Sequence, residues 1–198
     1  MSQGSLIVIS GASGVGKSTV IAKVLESCAD VYFSVSCTTR PPRTGEVDGV
    51  NYHFINRVEF EERIQRGEFL EYAQYVGNYY GTSRKIVEEQ LDRGIDVILD
   101  IEVQGAAQVK DNWPEARTIF IVPPSFEELA RRLRARKTDS EEKIAGRLQR
   151  AREEYREIPR YDYIVINDEL EKAAEELRAV LIAERCRTVR RIALIEGV

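Results

Sequence analysis

The sequence predicts an α/β fold in which a parallel sheet is flanked by helices, with a small α+β segment inserted into it. Three observations carry that expectation. Apolar runs rich in Val and Ile recur as SLIVIS, DVILDIE, RTIFIVPP and YDYIVIND, each bounded by polar or turn residues, as strands buried on both faces are. Helical patterns lie between and after them, and strands alternating with helices define the α/β class. The alternation breaks between Ser36 and Tyr80, where short β-like pieces surround a helix-like run.

In chain order, SLIVIS is the first strand and GKSTVIAKVLESC follows it as a helix. The interrupted interval holds YHFI, the helix-like RVEFEERIQRGEF and NYYGTS. SRKIVEEQLDRG opens on Ser and ends on Gly, residue types that cap the starts and ends of helices. DVILDIE and RTIFIVPP are the next strands. FEELARRLRAR and SEEKIAGRLQRAREEYREI read as consecutive helices, YDYIVIND as a last strand and ELEKAAEELRAVLIAERCRTVRR as a long closing helix. No repeat, low-complexity tract or long linker divides the chain.

At 198 residues the chain suits one domain, large enough to bury roughly 70% of its unfolded surface without disulfides. Cys28, Cys37 and Cys186 are far apart and form no CxxC pair, so they read as reduced thiols. A net charge of −4 and a pI near 5.3 argue against a protein that coats nucleic acid. Apolar runs such as TIFIV fall far short of a membrane span, and MSQGSLIVIS lacks the basic region and cleavage site of a signal peptide. The expectation is a cytoplasmic protein without nucleic-acid or membrane partners, for which a homo-oligomer stays open. An anionic ligand must then be held by a local cluster of residues.

Such a cluster follows the first strand. GASGVGKST matches G-x-x-x-x-G-K-[ST] at Gly11, Gly16, Lys17 and Ser18, in the required order of strand, loop and helix. Residues Gly11, Ala12, Ser13, Gly14, Val15, Gly16, Lys17, Ser18 and Thr19 form a phosphate-binding P-loop in this reading. Backbone N–H groups and the helix dipole face phosphate oxygens, Lys17 reaches the β and γ phosphates, and the Ser18 hydroxyl serves Mg²⁺. GASGVG is not the dinucleotide pattern G-x-G-x-x-G, and VIND is not the N-K-x-D of guanine-reading GTPases. A phosphotransferase or an ATPase remains.

The most turn-rich stretch, RPPRTGEVDGVNYHF, concentrates Arg40, Arg43, two prolines, two aromatics and the sole histidine in an acidic chain. A solvated surface turn accounts for its composition. Together with the P-loop, it gives the anatomy of a nucleotide kinase, a donor cradle facing a second anion site. With GASGVGKST, SVSCTTRPPRTGEVDGVNYHF, FLEYAQYVGNYYGTS, ILDIEVQGA and RRLRARKTDSEEKIAGRL in that order over residues 8 to about 167, the chain resembles the guanylate kinases. The match departs at Glu102, where family members often have Asp, and at Lys137, where Gly is common.

The resemblance implies a nucleoside monophosphate kinase on a P-loop core that takes the γ-phosphoryl group of ATP, with Mg²⁺, to GMP and dGMP. It implies that Ser36, Arg40, Arg43, Tyr52 and Tyr80 hold the GMP phosphate and that Glu71, Thr82, Asp100 and Glu102 surround the guanine. Arg132, Arg136 and Arg147 become lid residues, Arg132 on the ATP side, and Lys17, Arg43, Arg136 and Arg147 the catalytic set. Asp100 is either a water-mediated Mg²⁺ ligand beside Ser18 or a guanine-side acceptor, and a strand-end Asp capping a turn is the alternative. The implied partition is a core of residues 1–35, 91–125 and 160–198, a GMP-binding insert at 36–90 and a lid at 126–159.

Elementary chemistry agrees with these roles. Guanidinium forks bind phosphate in a planar, two-pronged way, and Tyr hydroxyls add neutral donors. Guanine offers N1–H and N2–H₂ as adjacent donors to a carboxylate, whereas adenine N1 is an acceptor that a carboxylate repels. Two rival readings are a kinase for a phosphorylated sugar, which need not keep Glu71 or NYYGTS, and a phosphopeptide-binding module that has lost its P-loop. Both features stand in this sequence.

Overall fold

All five residues of β1 (Leu6–Ser10) are buried, as a central parallel strand covered on both faces requires. The structure is a computed structural model that describes residues 3–75, 77–135 and 139–195. After β1 come α1 (Lys17–Leu25), β2 (Val31–Phe33), β3 (Cys37–Thr38), β4 (His53–Phe54) and α2 (Arg57–Gln65). The chain continues through β5 (Phe69–Tyr75), β6 (Asn78–Ser83), α3 (Arg84–Asp92), β7 (Asp96–Asp100) and α4 (Val103–Asn112). It closes with β8 (Arg117–Val122), α5 (Phe126–Ala135), α6 (Glu141–Tyr155), β9 (Tyr163–Ile166), α7 (Leu170–Arg185) and α8 (Thr188–Arg191).

Five strands form a sheet in the order β2-β7-β1-β8-β9, every neighbouring pair parallel. Successive strand residues point to opposite faces, so β1 feeds two cores. Ile7 and Ile9 pack with residues of α1, α5, α6 and α7, including Val20, Leu129, Ile144 and Leu177. Leu6 and Val8 pack on the other face with Val87 and Leu91 of α3 and Ala106 and Val109 of α4. A second sheet, β4-β3-β6-β5, pairs antiparallel except between β3 and β4, and has its own small core of Cys37, Phe60 and Phe69.

Several local expectations are corrected. The helix expected over RVEFEERIQRGEF ends at Gln65, because Gly67 turns the chain at φ 67° and Phe69 already belongs to β5. The single closing helix breaks after Arg185 and restarts as α8. β2, β5 and α4 were not expected. β2 is a three-residue edge strand without alternation, and α4 opens on Glu102 with no side-chain cap and carries Gly105 in its first half.

Candidate active site

The P-loop leaves the C-terminal end of β1 in a path closed to side chains. Gly11, Gly14 and Gly16 have φ values of 152°, 99° and 91°, where L side chains are strained. A Cβ on Gly11 would stand 2.3 Å from the Ile121 carbonyl oxygen, and one on Gly16 2.5 Å from Asn167 Nδ2. Between them Val15 is fully buried in the core and anchors the loop from below. Its carbonyl accepts from Asn167 Nδ2 at 2.8 Å and from Arg132 at 3.3 Å. Above the loop lies a cavity of about 230 Å³ lined by residues 12–14 and 16–19 together with Asp100.

Lys17 spans this cavity, its Nζ donating to the Gly11 carbonyl at 2.6 Å and standing 3.7 Å from Asp100 Oδ1. Burial pushes the Asp100 carboxyl above its ordinary range, Lys17 opposes the shift, and Glu102 adds to it. Glu154 of α6 is raised by burial too, within the fields of Glu102 and Lys17. Parallel strands deliver their C-terminal ends to one edge of the sheet, which brings Asp100 from β7 beside the loop that follows β1.

The second sheet presents a separate polar cluster. Arg40 lies over the rings of Tyr52 and Phe54, at 5.4 and 5.8 Å from their centroids, and Tyr52 meets Tyr80 edge to face at 5.9 Å. Glu46 grips the Arg40 guanidinium with both oxygens, at 2.8 and 2.9 Å. Bonding to Arg40 first, and to the Arg43 backbone N–H second, holds the Glu46 carboxyl below its usual range. Burial raises the Tyr52 hydroxyl, whose surroundings include the charges of Arg40, Glu46 and Asp100.

Deeper in the same sheet, Glu71 on β5 stands opposite Thr82 on β6, and its Oε1 accepts from the Thr82 hydroxyl at 2.7 Å. The residue is 6% exposed, and among the described residues no cation pairs with it, so burial drives its carboxyl upward while hydrogen bonds from the Thr82 hydroxyl and backbone N–H moderate the shift. A buried carboxylate whose protein donors both come from Thr82 is suited to accept hydrogen bonds from a ligand.

The structure thus brings together Gly11 to Thr19 with Asp100, Arg40 with Tyr52 and Tyr80, and Glu71 with Thr82. Ser36 borders the second group, its carbonyl accepting from the His53 N–H at 2.9 Å. The Arg43 and Glu102 side chains are exposed. Arg132 is turned to the outside of the P-loop, donating to the carbonyls of Val15 and Asn167 while Glu128 holds its Nε. Arg147 pairs with Asp139 at 2.9 Å within the α5–α6 arm. Arg136, with its neighbour Lys137, lies outside the described residues. Sequence reasoning missed Asn167, Glu46 and Glu154. An Asn directly after the last strand and a Glu three residues past Arg43 were the available signals.

Comparison with known proteins shows the family. The guanylate kinase family profile matches residues 3–184. The chain belongs to the guanylate kinase family. A guanylate kinase of Symbiobacterium thermophilum is 53% identical over 195 residues, 98% of this chain and 92% of the relative. One from Lactococcus lactis is 54% identical over 188 residues, 95% of this chain and 92% of its own. The crystal structure of guanylate kinase from Anaplasma phagocytophilum superposes with a TM-score of 0.77 at 36% identity, covering 96% of this chain and 90% of that one. In this chain the parallel sheet carries the cradle and the second sheet carries the arginine and carboxylate cluster. Among the described residues no helix is long and apolar enough to cross a membrane.

Proposed function

We infer that the protein transfers the γ-phosphoryl group of ATP to GMP or dGMP, giving ADP and the nucleoside diphosphate. One observation carries this reading: a P-loop cradle with Lys17 3.7 Å from Asp100 stands in the same chain as a separate cluster of Arg40, Tyr52 and Tyr80 suited to a second phosphate. In the reaction an oxygen of the GMP phosphate attacks the γ-phosphorus in line, and the bond to the β–γ bridging oxygen breaks with its electrons leaving on ADP. The acceptor oxygen is already ionised, so the step needs no general base, and positioning with charge neutralisation does the work.

Each group has a part in that step. The P-loop holds the donor phosphates, with the Lys17 ammonium on the transferring group. Ser36, Arg40, Arg43, Tyr52 and Tyr80 hold the acceptor phosphate. Oε2 of Glu71 and its Thr82-bonded Oε1 accept the guanine N1–H and N2–H₂, with Asp100 and Glu102 disfavouring adenine. Arg132 and Arg147, and Arg136 with them, belong to an arm that closes over the phosphates. Ser18 and Asp100 offer the hard oxygen donors that Mg²⁺ prefers, and they would hold it. The ion, when bound, neutralises phosphate charge. Residues 36–90 form the acceptor insert and 126–159 the arm on a core of 1–35, 91–125 and 160–198. The separate small core of the second sheet supports an insert, although Leu70 and Val87 within 36–90 pack in the core of the parallel sheet.

The test is ADP release from ATP and Mg²⁺ with GMP, dGMP, AMP, UMP or CMP supplied singly. Turnover with GMP and dGMP alone is expected. Comparable rates with all five, or none with GMP, would overturn the reading.

A further inference from the structure

Gly105 sits inside α4 with helical backbone, so no positive φ demands a glycine there. Gly105 is the third residue of α4, in its first turn, and glycine is a poorer helix former than alanine, so neither the backbone angle nor helix propensity calls for it. A Cβ at this position would lie 2.7 Å from Glu71 Oε2, 3.3 Å from its Cδ and 3.4 Å from Ile101 Cδ1. The absent methyl leaves the space that Oε2 of the buried carboxylate occupies.

Two hydrogen-bonded pins prevent α4 from backing away. β5 is the edge of its sheet, and α4 satisfies that edge on both sides of Glu71. Asn112 Nδ2 donates to the Leu70 carbonyl at 2.9 Å. Gln108 Nε2 donates to the Tyr72 carbonyl at 3.0 Å, and the Tyr72 N–H donates to Gln108 Oε1 at 3.2 Å. With the helix held at residues 70 and 72, a methyl at 105 is accommodated by the Glu71 carboxylate turning, against its 2.7 Å bond from Thr82.

We propose that Gly105 is a specificity-determining position of the acceptor site: by leaving room for Glu71 Oε2, it fixes the orientation of the carboxylate that reads the base. It is a positioning residue that acts through Glu71, and the inference rests on the reading of Glu71 as the guanine acceptor. The consequence is a separation of stability from recognition. Alanine suits the helix better than glycine, yet it misdirects the acceptor.

The experiment measures steady-state kinetics of Gly105→Ala with GMP and with inosine monophosphate, which lacks the 2-amino group, alongside KM for ATP and the thermal midpoint. Expected are a KM for GMP raised roughly ten- to a hundredfold, a reduced preference for GMP over inosine monophosphate, an unchanged KM for ATP and a thermal midpoint within a few degrees of the parent. KM for GMP within twofold and an unchanged preference would overturn the proposal. Gly105→Ala combined with Glu71→Asp retracts the carboxylate by one methylene and relieves the contact. The proposal requires this pair to regain part of the GMP preference lost in Gly105→Ala. If both variants fail to fold, Gly105 serves packing alone and the proposal is wrong. Glu71→Gln in the parent background is the control for the underlying reading. If that variant keeps the parental KM for GMP, base reading by Glu71 has failed, whereas loss there with none in Gly105→Ala refutes only the role of Gly105.

Discussion

Arg40 and Glu46 meet fork to fork, Arg40 Nη1 donating to Oε2 at 2.9 Å and Nη2 to Oε1 at 2.8 Å, while Oε2 also accepts from the Arg43 backbone N–H at 2.7 Å. The carboxylate is therefore part of its own turn, closed by the Glu46 N–H donating to the Arg43 carbonyl at 3.0 Å. It orients the guanidinium from behind while the faces of Tyr52 and Phe54 confine it from the sides.

Glu46→Gln replaces one acceptor oxygen by a donor that faces Arg40, so the fork loses its alignment. KM for GMP is expected to rise about tenfold, the low end for groups that orient a binding residue, with KM for ATP unchanged. A double-mutant cycle with Arg40→Ala checks the route. If Glu46 acts through Arg40, its substitution adds nothing in the Arg40→Ala background. Additive effects would show an independent role.

Lys17 is 15% exposed in a cavity, bonded to a carbonyl and near one carboxylate, and no part of the core rests on it. Lys17→Ala is expected to lower kcat by about 10²–10³-fold or more, the scale for losing a group that stabilises transition-state charge, while the far-ultraviolet circular dichroism spectrum stays parental. A kcat within tenfold of the parent would remove Lys17 from the transfer step.

Glu71→Gln keeps shape and turns an acceptor toward guanine into a donor. The expected fall in kcat/KM for GMP is roughly 10²–10⁴-fold, as for sites whose polar pairing fails. Weak AMP activity follows from the amide donating to adenine N1, so the ratio of GMP to AMP specificity is the quantity to measure.

Burial raises the folded-state pKa of Glu71, which fixes the sign of two pH effects. Between its unfolded value of about 4.3 and the raised folded value, the native protein binds more protons than the unfolded chain, so this group makes stability fall as pH rises through that window. Glu71→Gln lacks the penalty. It should melt higher than the parent at neutral pH, and the difference should shrink below about pH 4. Catalysis runs the other way, since GMP needs the ionised acceptor. KM for GMP in the parent rises on acidification from above the ordinary Glu range, and the variant keeps only the rise that protonation of the GMP phosphate at about pH 6 causes in both. Thermal midpoints and KM values across the acidic range check both signs.

Asn167 is 7% exposed and donates to the Val15 carbonyl at 2.8 Å, closing the P-loop from the end of β9. Asn167→Ala removes a buried hydrogen bond and leaves Arg132 as the remaining donor to that carbonyl. A loss of about 1–2 kcal/mol is expected, or roughly 2–8 °C in thermal midpoint, with KM for ATP raised and KM for GMP unchanged. An unaltered KM for ATP would show that the loop keeps its shape without Asn167.

The P-loop and its helix were legible from sequence because their determinants are local. Gly11, Gly14 and Gly16 encode a backbone path, and Lys17 and Ser18 follow within the same turn. β1, β7 and β8 were legible because burial on both faces leaves an unbroken apolar run, whereas β9, read from the same kind of run, is an edge strand whose Ile164 and Ile166 are exposed. β5 and α4 were not legible, since β5 mixes buried and exposed residues and α4 is held by its contacts with β5 more than by its own caps.

What the sequence determined by itself was the α/β class, the cradle and, through long shared motifs, the family. Tertiary structure alone decided that Gly105 clears Glu71 across 34 positions of chain, that Asn167 closes a loop 152 residues away, and that Asp100 stands at Lys17. These pairings depend on which strands become neighbours and which helix covers an edge. Non-local packing settles that through burial on both faces of the sheet, and no short window of residues encodes it.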